Sequence, residues 1–229
     1  MTVELVVAGD AERAAAAVAR RLVDAADAGE AIALAGGTTP RRAYELAAGQ
    51  RADWSRASVW WGDERCVAPD DPRSNFRLAR EALLDRLSRP PAAVHRIEGE
   101  LGADAAAAGY DEAIRGVRLG FVLLGIGADG HTASLFPGGL ALAERERLAV
   151  AVPAAGVDRV TLTPPALSSA DIVCFLAVGA DKAEAVALAF SGPPTTDVPA
   201  SLIRSAAGRT VAILDRSAAG RLDKVARGS

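Results

Sequence analysis

The chain has 229 residues, 50% of them hydrophobic and 24% charged, and its formal net charge at pH 7 is −3. That is a globular composition and not a disordered one, and an acidic balance without a basic surplus speaks against a nucleic-acid partner. Two widely separated cysteines, Cys66 and Cys174, exclude a disulfide scaffold and a cysteine metal site and point to a reducing cytoplasm, while no apolar run reaches the roughly 18 residues that a membrane span needs.

In chain order, residues 3–7 are an apolar run that predicts a first strand. Asp10 stands in an N-cap position before the Ala/Arg-rich stretch 11–28, a predicted helix closed by Gly29. Residues 31–35 (A-I-A-L-A), bounded by glycines, predict a buried strand. A helical pattern then runs from the Gly36 loop to Gly49. Residues 58–61 predict a third strand, 62–72 a polar, turn-rich loop, and 76–87 and 104–115 two amphipathic helices. Residues 119–124 form the most apolar strand. Further strands are predicted at 159–163, 172–178 and 210–214, with a helix at 183–190. The Pro/Thr-rich stretch 192–199 reads as the most mobile loop and the tail 221–229 as frayed. The N-terminus has neither the basic segment nor the apolar core of a secretory signal.

Strands that alternate with helices imply βαβ crossovers. The expected fold is a three-layer α/β/α arrangement around a mostly parallel sheet, built as a single domain over 1–229. The strands are continuous apolar runs without alternation, as strands covered on both faces should be.

Ligands of such sheets bind beyond the carboxyl ends of the strands. Four loops leave those ends with unusual residues. In Gly36-Gly37-Thr38-Thr39-Pro40, glycines allow a sharp turn, and a helix begins at once, so backbone amides and two hydroxyls can meet an anion such as phosphate. The alternative is a tight turn with threonine as N-cap. In the second loop, Asp63-Glu64-Arg65 brings charges to a strand end. Arg65 can pair a phosphate and Asn75 can bond a sugar hydroxyl, although a solvated loop with internal ion pairs explains the same residues.

The third loop, Gly125-Ile126-Gly127-Ala128-Asp129-Gly130-His131, contains G-x-G-x-x-G. It is not a dinucleotide fingerprint, because Pro137-Gly138-Gly139 interrupts any following helix. An acid and an imidazole inside a glycine loop fit general acid/base work instead, with His131 as base and Asp129 orienting it or binding substrate. Gly127 and Gly130 are substrate-binding candidates, and backbone amides of the Gly125–Gly130 loop could stabilise a developing oxyanion. His95, the other histidine, reads as structural. In the fourth loop, Lys182 is one of only two lysines, the other being Lys224, and it stands at a strand-to-helix junction where an ammonium can meet an anion. Serine-nucleophile elbows, P-loops and metal-type histidine pairs are absent, so no metal and no cofactor is expected.

Taken together, these segments resemble the bacterial 6-phosphogluconolactonases over nearly the whole chain. The resemblance is carried by A-G-G-T-T-P from Ala35, W-G-D-E-R from Trp61 with Ser74-Asn75-Phe76, G-I-G-A-D-G-H-T-A-S-L-F-P from Gly125, R-V-T-L-T from Arg159, G-A-D-K-A from Gly179, and P-A-S-L from Pro199. Glucosamine-6-phosphate deaminases are similar in the glycine loop but resemble A-F-N-E-P after the histidine, where this chain has Ala133-Ser134-Leu135-Phe136-Pro137. Thr38 stands for the usual serine, and Gly120 for a common aspartate.

The resemblance implies the glucosamine-6-phosphate deaminase/ribose-5-phosphate isomerase-like fold. It also implies hydrolysis of 6-phospho-D-glucono-1,5-lactone to 6-phosphogluconate, the second step of the oxidative pentose phosphate pathway. The expected partner is a small sugar-phosphate lactone bound by a monomer. A rival isomerase or deaminase would need a second carboxylate beside His131, for which Glu144 and Glu146 are the downstream candidates. A sugar-phosphate sensor would need a DNA-binding helix-turn-helix, for which a strand starting at Val3 leaves no room.

Overall fold

The computed structural model describes residues 2–206 and 208–222. Lys224 and most of the predicted frayed tail lie outside the described residues. The elements in order are β1 (Val3–Ala8), α1 (Ala11–Ala28), β2 (Ala31–Leu34), α2 (Thr38–Ala48), β3 (Ser58–Trp61), β4 (Asp63–Arg65), α3 (Asn75–Ala82), β5 (Ala93–Val94), α4 (Ala103–Ile114), β6 (Leu119–Gly125), β7 (Ala149–Val152), β8 (Arg159–Leu162), α5 (Pro164–Ser168), β9 (Ile172–Ala177), α6 (Ala183–Ser191) and β10 (Arg209–Asp215). Seven strands form one parallel sheet in the order β1-β10-β9-β6-β2-β3-β5, flanked by helices. Among the described residues no helix is long and apolar enough to cross a membrane.

The local signals act as the sequence indicates. The Asp10 carboxylate accepts the Arg13 amide at 2.8 Å and caps α1. Gly29 ends the helix with φ 77°, its amide bonding Ala25 and Ala26 carbonyls. The buried strands β2, β3, β6 and β9 carry the apolar runs, with Ile32 beside Phe121 and Leu34 beside Trp61. The largest fully buried side chains, Trp54, Trp61, Tyr44, Phe121 and Phe175, belong to one core cluster around this sheet.

Two buried tyrosines finish the strand ends nearest the crevice. Tyr44 donates to the Ala35 carbonyl at 2.6 Å and accepts the Ala35 amide at 2.9 Å. Tyr110 treats Trp61 in the same way, at 2.9 and 2.8 Å. Because β5 pairs only with Ser58 and Val59, Trp61 has no ladder partner on that side, and the phenol supplies one. Burial pushes both phenols above their ordinary range.

Two strands and a helix depart from the expectation. Residues 159–163 were expected in the parallel series, but β8 belongs to a second, antiparallel sheet of order β4-β8-β7. The expected loop 62–72 begins with β4, whose sequence Asp-Glu-Arg carries no strand signal and is held by pairing with β8. The predicted helix 76–87 stops at Ala82 and continues as a single 3-10 turn at Leu84–Arg86. Val198, at the end of the stretch 192–199, lies against Gly130 of the glycine loop, and just after it the Ala200 amide bonds the Gly130 carbonyl at 3.0 Å.

Strand order fixes where a ligand can bind. From β2 the chain moves one way across the sheet, to β3 and β5, and from β6 it moves the other way, to β9 and β10. The reversal lies between β2 and β6, and the crevice beyond their carboxyl ends is the place such sheets use for ligands.

Candidate active site

A pocket of about 260 Å³ opens at that crevice. It brings together Gly36, Gly37, Thr38 and Thr39 after β2, Asp63 and Arg65 on β4, Asn75 on α3, Gly127 and His131 after β6, Arg159 on β8, and Lys182 after β9. Nine of the residues singled out from the sequence therefore meet in one cavity. Asp129 and Gly130 stand behind its lining and act through His131 and the loop backbone.

The Gly36 loop ends in an uncapped helix. The N-cap of α2 is Gly37, with φ 100° and no side-chain cap bond, so threonine does not cap the helix. Thr38 and Thr39 are its first two residues, and their amides have no intrahelical acceptor. Uncapped amides and the positive end of the helix dipole face the pocket, which is the arrangement an anion needs.

The glycine loop after β6 builds the imidazole site. His131 Nδ1 lies 2.6 Å from Asp129 Oδ1, which also accepts the His131 amide at 3.1 Å. An aspartate at Nδ1 draws the ring proton there and leaves Nε2 as the basic nitrogen. Burial alone would raise the Asp129 carboxyl, but the bonds from the His131 amide and ring outweigh it and hold the group below its usual range. The ring lies against Gly127, where a Cβ would fall 2.1 Å from Nδ1, so only glycine fits.

Of the Gly125–Gly130 amides expected near an oxyanion, those of Gly127 and Gly130 are engaged within the loop. The Gly127 amide bonds the His131 carbonyl at 2.8 Å and the Gly130 amide bonds the Gly127 carbonyl at 3.0 Å. Both donors are consumed in closing the turn that aims His131.

The second wall differs from a solvated charged loop. Glu64 is 3% exposed. It accepts the Asn75 and Phe76 amides at 2.7 Å each and the Ser74 hydroxyl at 3.0 Å, so it ties β4 to the start of α3. Burial pushes its carboxyl up, against the lowering effect of these bonds. Asp63 accepts the Ser134 hydroxyl at 2.6 Å. Ser134 reaches it from a tight turn in which Leu135 bonds back to Thr132 and Ala133 takes a φ of 49°.

Arg65 and Arg159 stand directly opposite each other in the β4–β8 ladder, and each has a buried Nε without a hydrogen-bond partner. Like charges facing each other across a ladder are unfavourable unless an anion joins them. Lys182 approaches from the other flank, paired with Asp181 at 3.2 Å. Its turn is fixed by Asp215, which accepts the Gly179 amide at 3.1 Å.

Sequence reasoning missed Arg159, Asp63 and Ser134 as site residues. Their signal lies in the pairing of β4 with β8, which periodicity cannot show. His95 lies outside the pocket, stacked on Trp60 at 4.0 Å between ring centroids. Glu144 is spent on the amides of Arg145, Glu146 and Arg147, and neither it nor Glu146 lines the cavity.

Comparison with known proteins finds relatives over nearly the whole chain. Residues 8–212 match the family model of glucosamine-6-phosphate isomerases/6-phosphogluconolactonase. The chain is 39% identical to a 6-phosphogluconolactonase of Streptomyces coelicolor, over 93% of this chain and 91% of that one. It is 37% identical to a 6-phosphogluconolactonase of Mycobacterium tuberculosis, over 93% and 96%. The 6-phosphogluconolactonase structure from Trypanosoma brucei superposes with a TM-score of 0.86 at 27% identity, covering 96% of this chain and 99% of that one. A monomeric glucosamine-6-phosphate deaminase shares the fold, with a TM-score of 0.83 at 21% identity over 95% and 99% of the two chains.

Proposed function

The chain belongs to the family of glucosamine-6-phosphate isomerases and 6-phosphogluconolactonases, and from its site we infer that it works as a lactonase: it hydrolyses 6-phospho-D-glucono-1,5-lactone to 6-phospho-D-gluconate, a step of the pentose phosphate pathway. The observation that carries the residue roles is the Asp129–His131 pair set beside an uncapped helix N-terminus and three cations in one pocket.

His131 is the general base. Its Nε2 takes a proton from water as the water oxygen attacks the lactone carbonyl carbon, and Asp129 stabilises the imidazolium that forms. When the tetrahedral adduct collapses, the bond from that carbon to the ring oxygen breaks, and the imidazolium returns the proton to the departing oxygen. Water is added across the ester and no electrons change hands. The phosphate dianion is held by the α2 amides and by the positive charge of Arg65, Arg159 and Lys182, which fixes the lactone against His131. With the Gly127 and Gly130 amides engaged, the guanidinium groups also oppose the charge that builds on the carbonyl oxygen.

The deaminase or isomerase alternative is disfavoured by the pocket itself. Asp63 is the carboxylate in its lining, and its oxygens are taken by Ser134 and Asn75. The test is decay of 6-phosphogluconolactone, generated in situ, in buffer, with the protein, and with His131→Ala. The protein accelerates decay and the variant loses about 10²–10⁴-fold in kcat. A variant of full activity removes His131 from the role of base, and an inactive wild type overturns the lactonase reading.

A further inference from the structure

Asn75 is the first residue of α3, lines the pocket and is 2% exposed. It is fixed at both ends. Its amide N–H donates to Glu64 Oε1 at 2.7 Å. Its side-chain Nδ2 donates to the Asp63 carbonyl at 2.9 Å and to Asp63 Oδ1 at 3.2 Å. Both partners of Nδ2 are acceptors, so turning the amide over would set its oxygen against two others, and one orientation survives. The Asp63 carboxylate is itself held, through its other oxygen, by the Ser134 hydroxyl at 2.6 Å.

This orientation leaves Asn75 Oδ1 buried with no hydrogen-bond partner. It lies against Gly36, where a Cβ would fall 1.8 Å from it. A buried acceptor without a donor is costly, and in a binding pocket the natural donor is part of the ligand. The phosphate and the lactone carbonyl offer no proton. The ring hydroxyls do.

We propose that Asn75 is a specificity-determining residue that accepts a hydrogen bond from one ring hydroxyl of the sugar, and that Asp63 is the positioning residue that keeps the Asn75 carbonyl, rather than its NH2, turned to the ligand. The inference rests on the lactonase reading and adds to it what the site demands of the ring. A substrate lacking that hydroxyl leaves Oδ1 unpaired, and one carrying an ether there also clashes.

The experiment compares 6-phosphogluconolactone with its 2-, 3- and 4-deoxy analogues. The wild type loses about 10- to 100-fold in kcat/KM on one analogue. Asn75→Ala loses a similar factor on the parent and no longer distinguishes that analogue from it. Asp63→Asn keeps the backbone carbonyl that accepts from Asn75 Nδ2 but can present an NH2 in place of the carboxylate oxygen; it loosens that orientation, raises KM more than it lowers kcat and shrinks the discrimination. A merely structural role for Asp63 would lower activity on parent and analogue alike.

The proposal is overturned if no analogue falls by more than about 3-fold in the wild type, which needs no variant to fold. It is also overturned if a folded Asn75→Ala keeps the full discrimination. If the wild type leaves the parent lactone untouched, the lactonase reading fails instead. Calorimetric binding of glucose 6-phosphate and its monodeoxy analogues then decides: unequal binding that Asn75→Ala levels supports the hydroxyl contact, and equal binding overturns it.

Discussion

Asp129 sets the tautomer of His131, and that gives its substitution a particular signature. In Asp129→Asn the side-chain NH2 turns to Nδ1, the ring proton moves to Nε2, and the base is lost although the geometry remains. The expected fall in kcat is about 10²-fold or more with little change in KM, measured on the lactone at neutral pH. Because Asp129 is held below the ordinary carboxylate range, its anion survives mild acid, and its support of the imidazolium is lost only as pH falls through that lowered value.

Glu30 shows the opposite sign. Its Oε2 is buried without a partner, and burial followed by repulsion from Asp171 raises its carboxyl above the ordinary value. The folded state therefore resists its ionisation, a penalty present above the raised value and relieved as pH falls through it. Glu30→Gln is expected to raise Tm at pH 7, with the gain shrinking in acid, as thermal melts at neutral and acidic pH would show. The carboxyl lies where a Cβ on Gly120 would fall 2.6 Å away, which accounts for glycine at a position where the resembling family commonly has aspartate.

At the scale of elements, the start of α2 decides between a structural turn and an anion site. Thr38 is the first helical residue and its amide has no helical acceptor. Proline is tolerated at that position. Thr38→Pro removes the amide proton and the hydroxyl together, and Thr38→Val removes the hydroxyl alone, so the difference between them isolates the amide: KM for the phosphorylated lactone is expected to be about 10-fold higher in Thr38→Pro than in Thr38→Val, since a charge-assisted bond is worth roughly 1.5–3 kcal/mol. Equal KM values would leave the loop as a turn alone. The other site elements were legible to different degrees. β2, β6 and β9 announced themselves as apolar runs, because burial on both faces writes hydrophobicity directly into sequence. β4 did not, because its three polar residues are a strand only through β8.

For the molecule as a whole, function follows from strand order. The reversal between β2 and β6 opens one crevice, and loops as far apart in sequence as those of Gly36 and Lys182 converge there. Cations from both flanks then face one cavity, so an anion should stabilise the entire fold. Inorganic phosphate at roughly ten times its Kd is expected to add about 1.4 kcal/mol, read as a Tm several degrees higher. Lys182→Ala and Arg159→Ala should each reduce that rise, while Arg145→Ala, on a turn away from the pocket, should leave it intact.

By itself the sequence determined the class of fold, the positions of the buried strands, the glycine turns and the histidine–aspartate loop. These are local: apolar periodicity, capping residues and the steric freedom of glycine act between neighbours in the chain. Only the tertiary structure decided which groups face each other. It placed Arg159 opposite Arg65, turned Glu64 from an exposed charge into the anchor of α3, spent the Gly127 and Gly130 amides on their own loop, and left the Asn75 carbonyl unpaired against Gly36. Such pairings depend on contacts between segments tens of residues apart, and no pattern along the chain encodes them.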